Sequence, residues 1–169
     1  MKKNIDITDL RKTMGLWITG VAVVTTRDGD NNPAGMTINS LVSISLTPSL
    51  IGWCIDRGAA SFDTFARCQH FSVSVLNQEQ AALAQRFATR GADKFAGILE
   101  RPEIRDGASR PLLIPDACAW LVCRLYRLVS LGDHLLLVGE VTDLEFTERA
   151  PLVFFRGGFR DSGNSDIAA

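Results

Sequence analysis

The chain has 169 residues, 46% hydrophobic and 22% charged, with a formal net charge of -1. Those proportions fit one globular domain large enough to bury a core, and the balance gives no electrostatic footing for nucleic acid or an anionic membrane. No apolar run approaches the roughly 18 residues of a membrane span. The first nine residues lack the apolar stretch of a secretory signal, so a cytoplasmic location is expected.

Asp6 or Thr8 can cap a first helix over 6–18, where Ile7, Leu10, Met14 and Trp17 recur near helical spacing and Gly20 marks the end. A strand over 21–26 and a turn over 28–33 place a hairpin at 20–40. Residues 35–47 carry the least usual pattern. Met36, Ile38, Val42, Ile44 and Leu46 alternate with Thr37, Asn39, Ser43, Ser45 and Thr47, and no charge stands between Met36 and Asp56. The alternation predicts a strand bent near Asn39-Ser40 with its apolar side in the core. Its polar side needs hydrogen-bonding partners. A covering loop, a second subunit or a ligand would each supply them.

Thr47-Pro48-Ser49 breaks the chain, and 50–56 reads as a buried strand. Asp56-Arg57-Gly58-Ala59-Ala60-Ser61 then leads into a short helix at 61–67 with Ser61 as N-cap. Free backbone N–H groups beside an arginine make either an anion site or an ordinary empty cap. Residues 71–76 alternate as a strand. Asn77 caps a helix over 78–88 with Ala81, Leu83, Ala84 and Phe87 inward. The loop 89–95 sets two cations, Arg90 and Lys94, around Gly91 and ends on Phe95, as a solvated loop or as a phosphate or ring contact. Residues 98–117, with three prolines, read as extended connection. A long hairpin, 119–130 and 135–146, turns at 131–134; a last short strand spans 151–155, and a disordered tail 161–169.

Six or seven strands joined mostly by turns, with two or three inserted helices, describe an α+β protein on a mostly antiparallel sheet or small barrel. One domain over 1–160 accounts for them. Neither dinucleotide nor phosphate-loop glycine motifs occur, nor G-x-S-x-G or H-E-x-x-H. Cys54, Cys68, Cys118 and Cys123 form no C-x-x-C pair and, with His70 and His134, no metal site. Reduced, mostly buried thiols are expected. His134, in a Gly-Asp-His turn, is a functional candidate or a solvated turn residue. A barrel without acid–base machinery of its own borrows chemistry from a cofactor.

Taken together, residues 19–25, 35–40, 43–48, Asp56-Arg57 with Ser61-Phe62, 93–97, 132–134 with 139–141, and 151–160 resemble, in that order, the short-chain flavin reductases. The resemblance implies a six-stranded split β-barrel (the FMN-binding split barrel) with inserted helices, forming a homodimer with flavin at the subunit interface. It implies hydride transfer from NADH or NADPH to FMN or FAD, and delivery of reduced flavin to a flavin-dependent monooxygenase. Carried onto this sequence, Thr37, Ile38 and Asn39 contact the ring side, and Ser40 and Ser43 the ribityl chain or phosphate. Asp56, Arg57 and Ser61 bracket the ribityl-phosphate end, and Lys94 with Phe95 touches the phosphate region. His134 is the catalytic candidate near the nicotinamide, where Arg156, Gly158 and Phe159 close over the pocket. Gly58-Ala59-Ala60 stands where a further basic residue and serines are common, and Phe159 where tyrosine is frequent. A direct flavin-dependent oxidase and a non-enzymatic flavin- or haem-binding protein are the alternatives on the same barrel. The residues choose neither FMN over FAD nor NADH over NADPH.

Overall fold

A computed structural model describes residues 4–98 and 111–163. Helix α1 (Ile7–Met14) begins where the Asp6 carboxylate accepts the Thr8 N–H at 2.6 Å and ends at Gly15, five residues before the expected stop. Its apolar positions have the spacing of a core face, yet none is buried: Ile7 is 70% exposed, Leu10 50% and Met14 57%. Nothing in the described chain covers them.

Among the described residues ten strands follow, all paired antiparallel. The main sheet has seven: β2 (Ala22–Arg27), β3 (Pro33–Ile38), β4 (Val42–Leu46), β5 (Ser49–Asp56), β6 (His70–Val75), β7 (Ala119–Leu131) and β8 (His134–Phe146), in the order β3-β2-β6-β7-β8-β5-β4. A small sheet joins β1 (Thr19–Gly20), β9 (Leu152–Phe155) and β10 (Gly158–Asp161) in the order β1-β9-β10. The α+β, mostly antiparallel expectation holds, with more strands than the alternation resolves. Asp161, assigned to the tail, pairs with Leu152; residues 164–169 and most of the 98–117 connection lie outside the described residues.

The expected bend at Asn39-Ser40 is a break between two strands. β3 and β4 are consecutive in the chain but lie on opposite edges of the sheet. Four residue steps from Ile38 to Val42 reach at most about 14 Å. The sheet therefore curls until its edges nearly meet, with no ladder across the seam. The apolar side of 35–47 enters the core only through its first half. Ile38 is 5% exposed, whereas Val42, Ile44 and Leu46 are 49%, 47% and 86% exposed, so the core placement expected for those three is corrected.

Inside the barrel, Trp53, Phe65 and Phe71 are fully buried, with Trp53 edge-on to Phe65 at 4.9 Å and to Phe71 at 5.9 Å. Gly139 is needed here because any side chain on it would run into the Phe71 ring. A second cluster (Val21, Val23, Leu76, Ala84, Phe87, Ile114, Leu152) lies under α3 (Ala81–Ala88). Asn77 caps the preceding 3-10 turn as expected, in a reciprocal box with Gln80. Outside the barrel, Thr25, Ser72 and Ser74 are fully buried because residues 112–114 cross over them. Thr25 and Ser72 both donate to the Leu112 carbonyl, and the Ile114 N–H donates to Ser74 Oγ at 3.1 Å.

Candidate functional site

A cleft of about 230 Å³ opens between β3, the loop after β5 and the end of α3, lined by Met36, Thr37, Gly58, Ala59, Ala60, Ser61, Phe87, Ala88, Arg90 and Lys94. Asp56 shapes its near wall by accepting the Gly58 N–H at 2.6 Å and, through its carbonyl, the Ala59 N–H at 3.0 Å. Ser61 precedes α2 (Phe62–Arg67) but does not cap it: its hydroxyl lies 3.8 Å from Met36 Sδ. On the far wall the Lys94 ammonium donates to the Gly35 carbonyl at 2.9 Å, and burial holds its pKa below the ordinary lysine value. Thr37 donates to the Ala84 carbonyl at 2.6 Å, tying β3 to α3. Phe95 packs edge-on to Phe87 at 5.2 Å, beneath Gly35.

The remaining sequence candidates lie outside this cleft. Arg57 turns away: its guanidinium donates to Ser130 Oγ and lies 5.7 Å from the Phe62 ring centre. Asp56 pairs with His134 across β5 and β8, which brings the two loops to one end of the barrel. There Gly132, at φ +55°, allows a two-residue hairpin turn. His134 Nδ1 meets Asp133 Oδ1 at 2.7 Å, a contact that lowers the Asp133 pKa, and the His134 side chain is 41% exposed.

Ser40 sits in the seam, exchanging hydrogen bonds with the Cys54 backbone. Asn39 lines a neighbouring cleft of about 240 Å³ with Trp17 and Leu41, where the buried Thr19 hydroxyl has no partner among the described residues. Ser43 lines an open groove of about 470 Å³ along β4 and β8. Ile38 is in the core. Phe159 packs on Phe154 at 5.8 Å and Arg156 over Phe155, both on the small sheet. The candidates therefore form a broken belt around the seam and the open edge.

The four thiols are free. Burial raises all of them, Cys68 to about 11 and Cys123 to about 12, the direction opposite to that of an activated thiol. No helix among the described residues is long and apolar enough to cross a membrane.

Comparison with known proteins gives the family. The flavin reductase like domain family matches residues 14–163. The chain belongs to that family. It is 34% identical over 160 residues to a flavin reductase from Pseudomonas putida, covering 94% of this chain and 92% of the relative. It is also 34% identical over 154 residues to the reductase component of a flavin-dependent trigonelline monooxygenase from Acinetobacter baylyi; there the match covers 90% of this chain but 48% of the relative. Among solved structures, the NADH:FAD oxidoreductase SgcE6 of Streptomyces globisporus, in complex with NAD and FAD fragments, matches with a TM-score of 0.85 and 33% identity. That match covers 98% of this chain and 99% of that one.

The donor set of the cleft fits the phosphate end of a flavin in this family member. Lys94 and Arg90 supply positive charge, Ser61 a hydroxyl, and Gly58, Ala59 and Ala60 a wall without bulk. Its volume is below the roughly 300–1,000 Å³ of a site that encloses a small molecule. By itself the cleft is too small to enclose a whole flavin. Arg90 is a lining residue that the sequence candidates omit. The signal was the pair of cations around Gly91, and only the fold shows that the first of them faces the cleft.

Proposed function

We propose that this protein is an NAD(P)H:flavin oxidoreductase that works as a homodimer and releases reduced flavin, FMN or FAD, to a partner monooxygenase. The observation that carries the reading is full-length likeness to an NADH:FAD oxidoreductase, 98% of this chain against 99% of that one. Likeness to a monooxygenase reductase component supports the partner. The homodimer is supported by apolar surface that a lone chain leaves open: the α1 face, Trp17, Val42, Leu46, Leu144 and Phe146. A second copy over this surface would also complete the half-open clefts beside it.

When bound, the flavin would supply hydride-accepting chemistry and the reduced nicotinamide the hydride. The protein supplies position. Lys94, Arg90 and Ser61 hold the phosphate, and the seam residues Asn39 and Ser40 with Ser43 offer short polar contacts that let a ring approach the backbone. His134, its Nδ1 held by Asp133 and its backbone paired with Asp56, is the contact for the nicotinamide. Arg156 and Phe159 stand on the small sheet as the far side of that pocket.

NADH and NADPH oxidation followed at 340 nm, with and without added FMN or FAD, tests the reading. Turnover that saturates with flavin is expected; its absence in protein that still holds flavin tightly would replace the reductase with a direct oxidase or a binding protein. In the same assay His134→Ala should raise the KM for the nicotinamide about tenfold, the worth of one lost hydrogen bond, with flavin affinity little changed. Equal losses in both would remove His134 from the nicotinamide site.

A further inference from the structure

Of the cations flanking the cleft, three are already engaged with protein oxygens. Arg57 donates to Ser130, Arg86 to the Ala96 carbonyl at 2.9 Å, and Lys94 to the Gly35 carbonyl. Arg90 lines the cleft and makes no hydrogen bond or ion pair among the described residues. It follows the end of α3 and precedes Gly91, whose φ of +77° turns the loop so that Lys94 returns to the same cleft. The two cations stand at two depths, Lys94 half-buried and Arg90 exposed at the lip. The facing wall, Gly58, Ala59 and Ala60, offers no side-chain donor.

From this arrangement we infer that Arg90 is a specificity-determining residue, an outer cation that reads the flavin phosphate and so separates phosphorylated flavins from riboflavin. The inference rests on the flavin reductase reading. Lys94 alone is a poor reader of that charge, since one of its three donors is spent on Gly35 and it stands half-buried behind the lip. A guanidinium adds a planar, two-pronged donor that matches phosphate oxygens. Its exposure lets it meet an arriving anion but also limits its worth through solvent screening.

The test is direct binding without nicotinamide: FMN and riboflavin titrated by quenching of flavin fluorescence, for the wild type, Arg90→Ala and Arg90→Lys. Arg90→Ala should weaken FMN about fivefold and leave riboflavin unchanged, with Arg90→Lys between. The salt dependence of FMN binding should shrink in the alanine variant. An unchanged FMN-to-riboflavin ratio, or equal weakening of both flavins, overturns the role of Arg90. Where the wild type still oxidises NADH with FMN, that result leaves the reductase reading standing. A wild type that binds neither flavin and shows no FMN-dependent NADH oxidation removes the reading, and the role of Arg90 with it.

Discussion

Thr25, Ser72 and Ser74 on the outer face of the barrel and Asn39, Ser43 and Ser45 along its open edge are side chains of one class with opposite fates. The first three are completely buried, because the chain returns at 112–114 and accepts or supplies their hydrogen bonds. The other three stay at or near the surface. Asn39 and Ser43 make no side-chain hydrogen bond among the described residues. Around them Val42 and Leu46 are exposed as well. Short polar residues without neighbouring charges thus mark a surface to be covered, and only the fold shows whether the cover is the chain itself. On one side it is. On the other the described chain provides none, and the proposed function puts a flavin and a second protomer there.

The largest expected effect breaks the closed side. Trp120 is 4% exposed and its indole N–H donates to the Ile114 carbonyl at 2.6 Å, which helps hold the crossing segment down. Trp120→Ala should cost about 3–5 kcal/mol, read as a lower urea midpoint with an unchanged slope. A loss below about 1 kcal/mol would mean that the segment is not part of the fold's stability.

On the open side the same test should spare the protomer. Leu46→Asp places a charge on a residue already 86% exposed, so the secondary structure should survive with a stability change within about 0.5 kcal/mol. Self-association should weaken roughly a hundredfold if that edge is the dimer interface, because an unpaired carboxylate would be buried there. Light scattering across a dilution series reads it, and an unchanged mass would move the interface elsewhere.

The smallest effect concerns pH. Lys94 has a pKa below its ordinary value of 10.5 because burial disfavours the ammonium. As pH rises through that lowered value the free protein loses the proton, while a bound phosphate still requires it. FMN affinity should therefore fall at a pH below that expected for a solvent-exposed lysine, by at most tenfold per pH unit. Stability runs the other way: between the folded and unfolded pKa values the unfolded chain holds more protons, so this lysine makes folding more favourable as pH rises. Riboflavin binding without a slope beside FMN binding with one would assign the effect to the phosphate; identical profiles would not.

Much of the fold was legible in the sequence. The long hairpin 119–146, the Asn77 cap and the inward Ala84 and Phe87 all follow from alternation, capping chemistry and helical spacing. Periodicity nevertheless reports which residues want cover, never what provides it. Ile7, Leu10 and Met14 have the spacing of a core face and meet no core. Val42 and Leu46 fail for the same reason. Of the candidate site, Ser61, Thr37 and Lys94 share a cleft, but Arg57 is drawn to Ser130, a partner 73 residues away that no local pattern announces. Arg90 was visible as a loop cation, and only the fold shows that it lines the same cleft as Lys94.

The seam carries one more consequence. Because β3 and β4 are the two edges of one curled sheet and only Asn39, Ser40 and Leu41 join them, the link acts as a tether of fixed length across the mouth of the barrel. How far that mouth can gape is set by covalent connectivity and survives most changes in side-chain packing. Lengthening the tether by one inserted glycine would widen the mouth more than trimming the side chains around it.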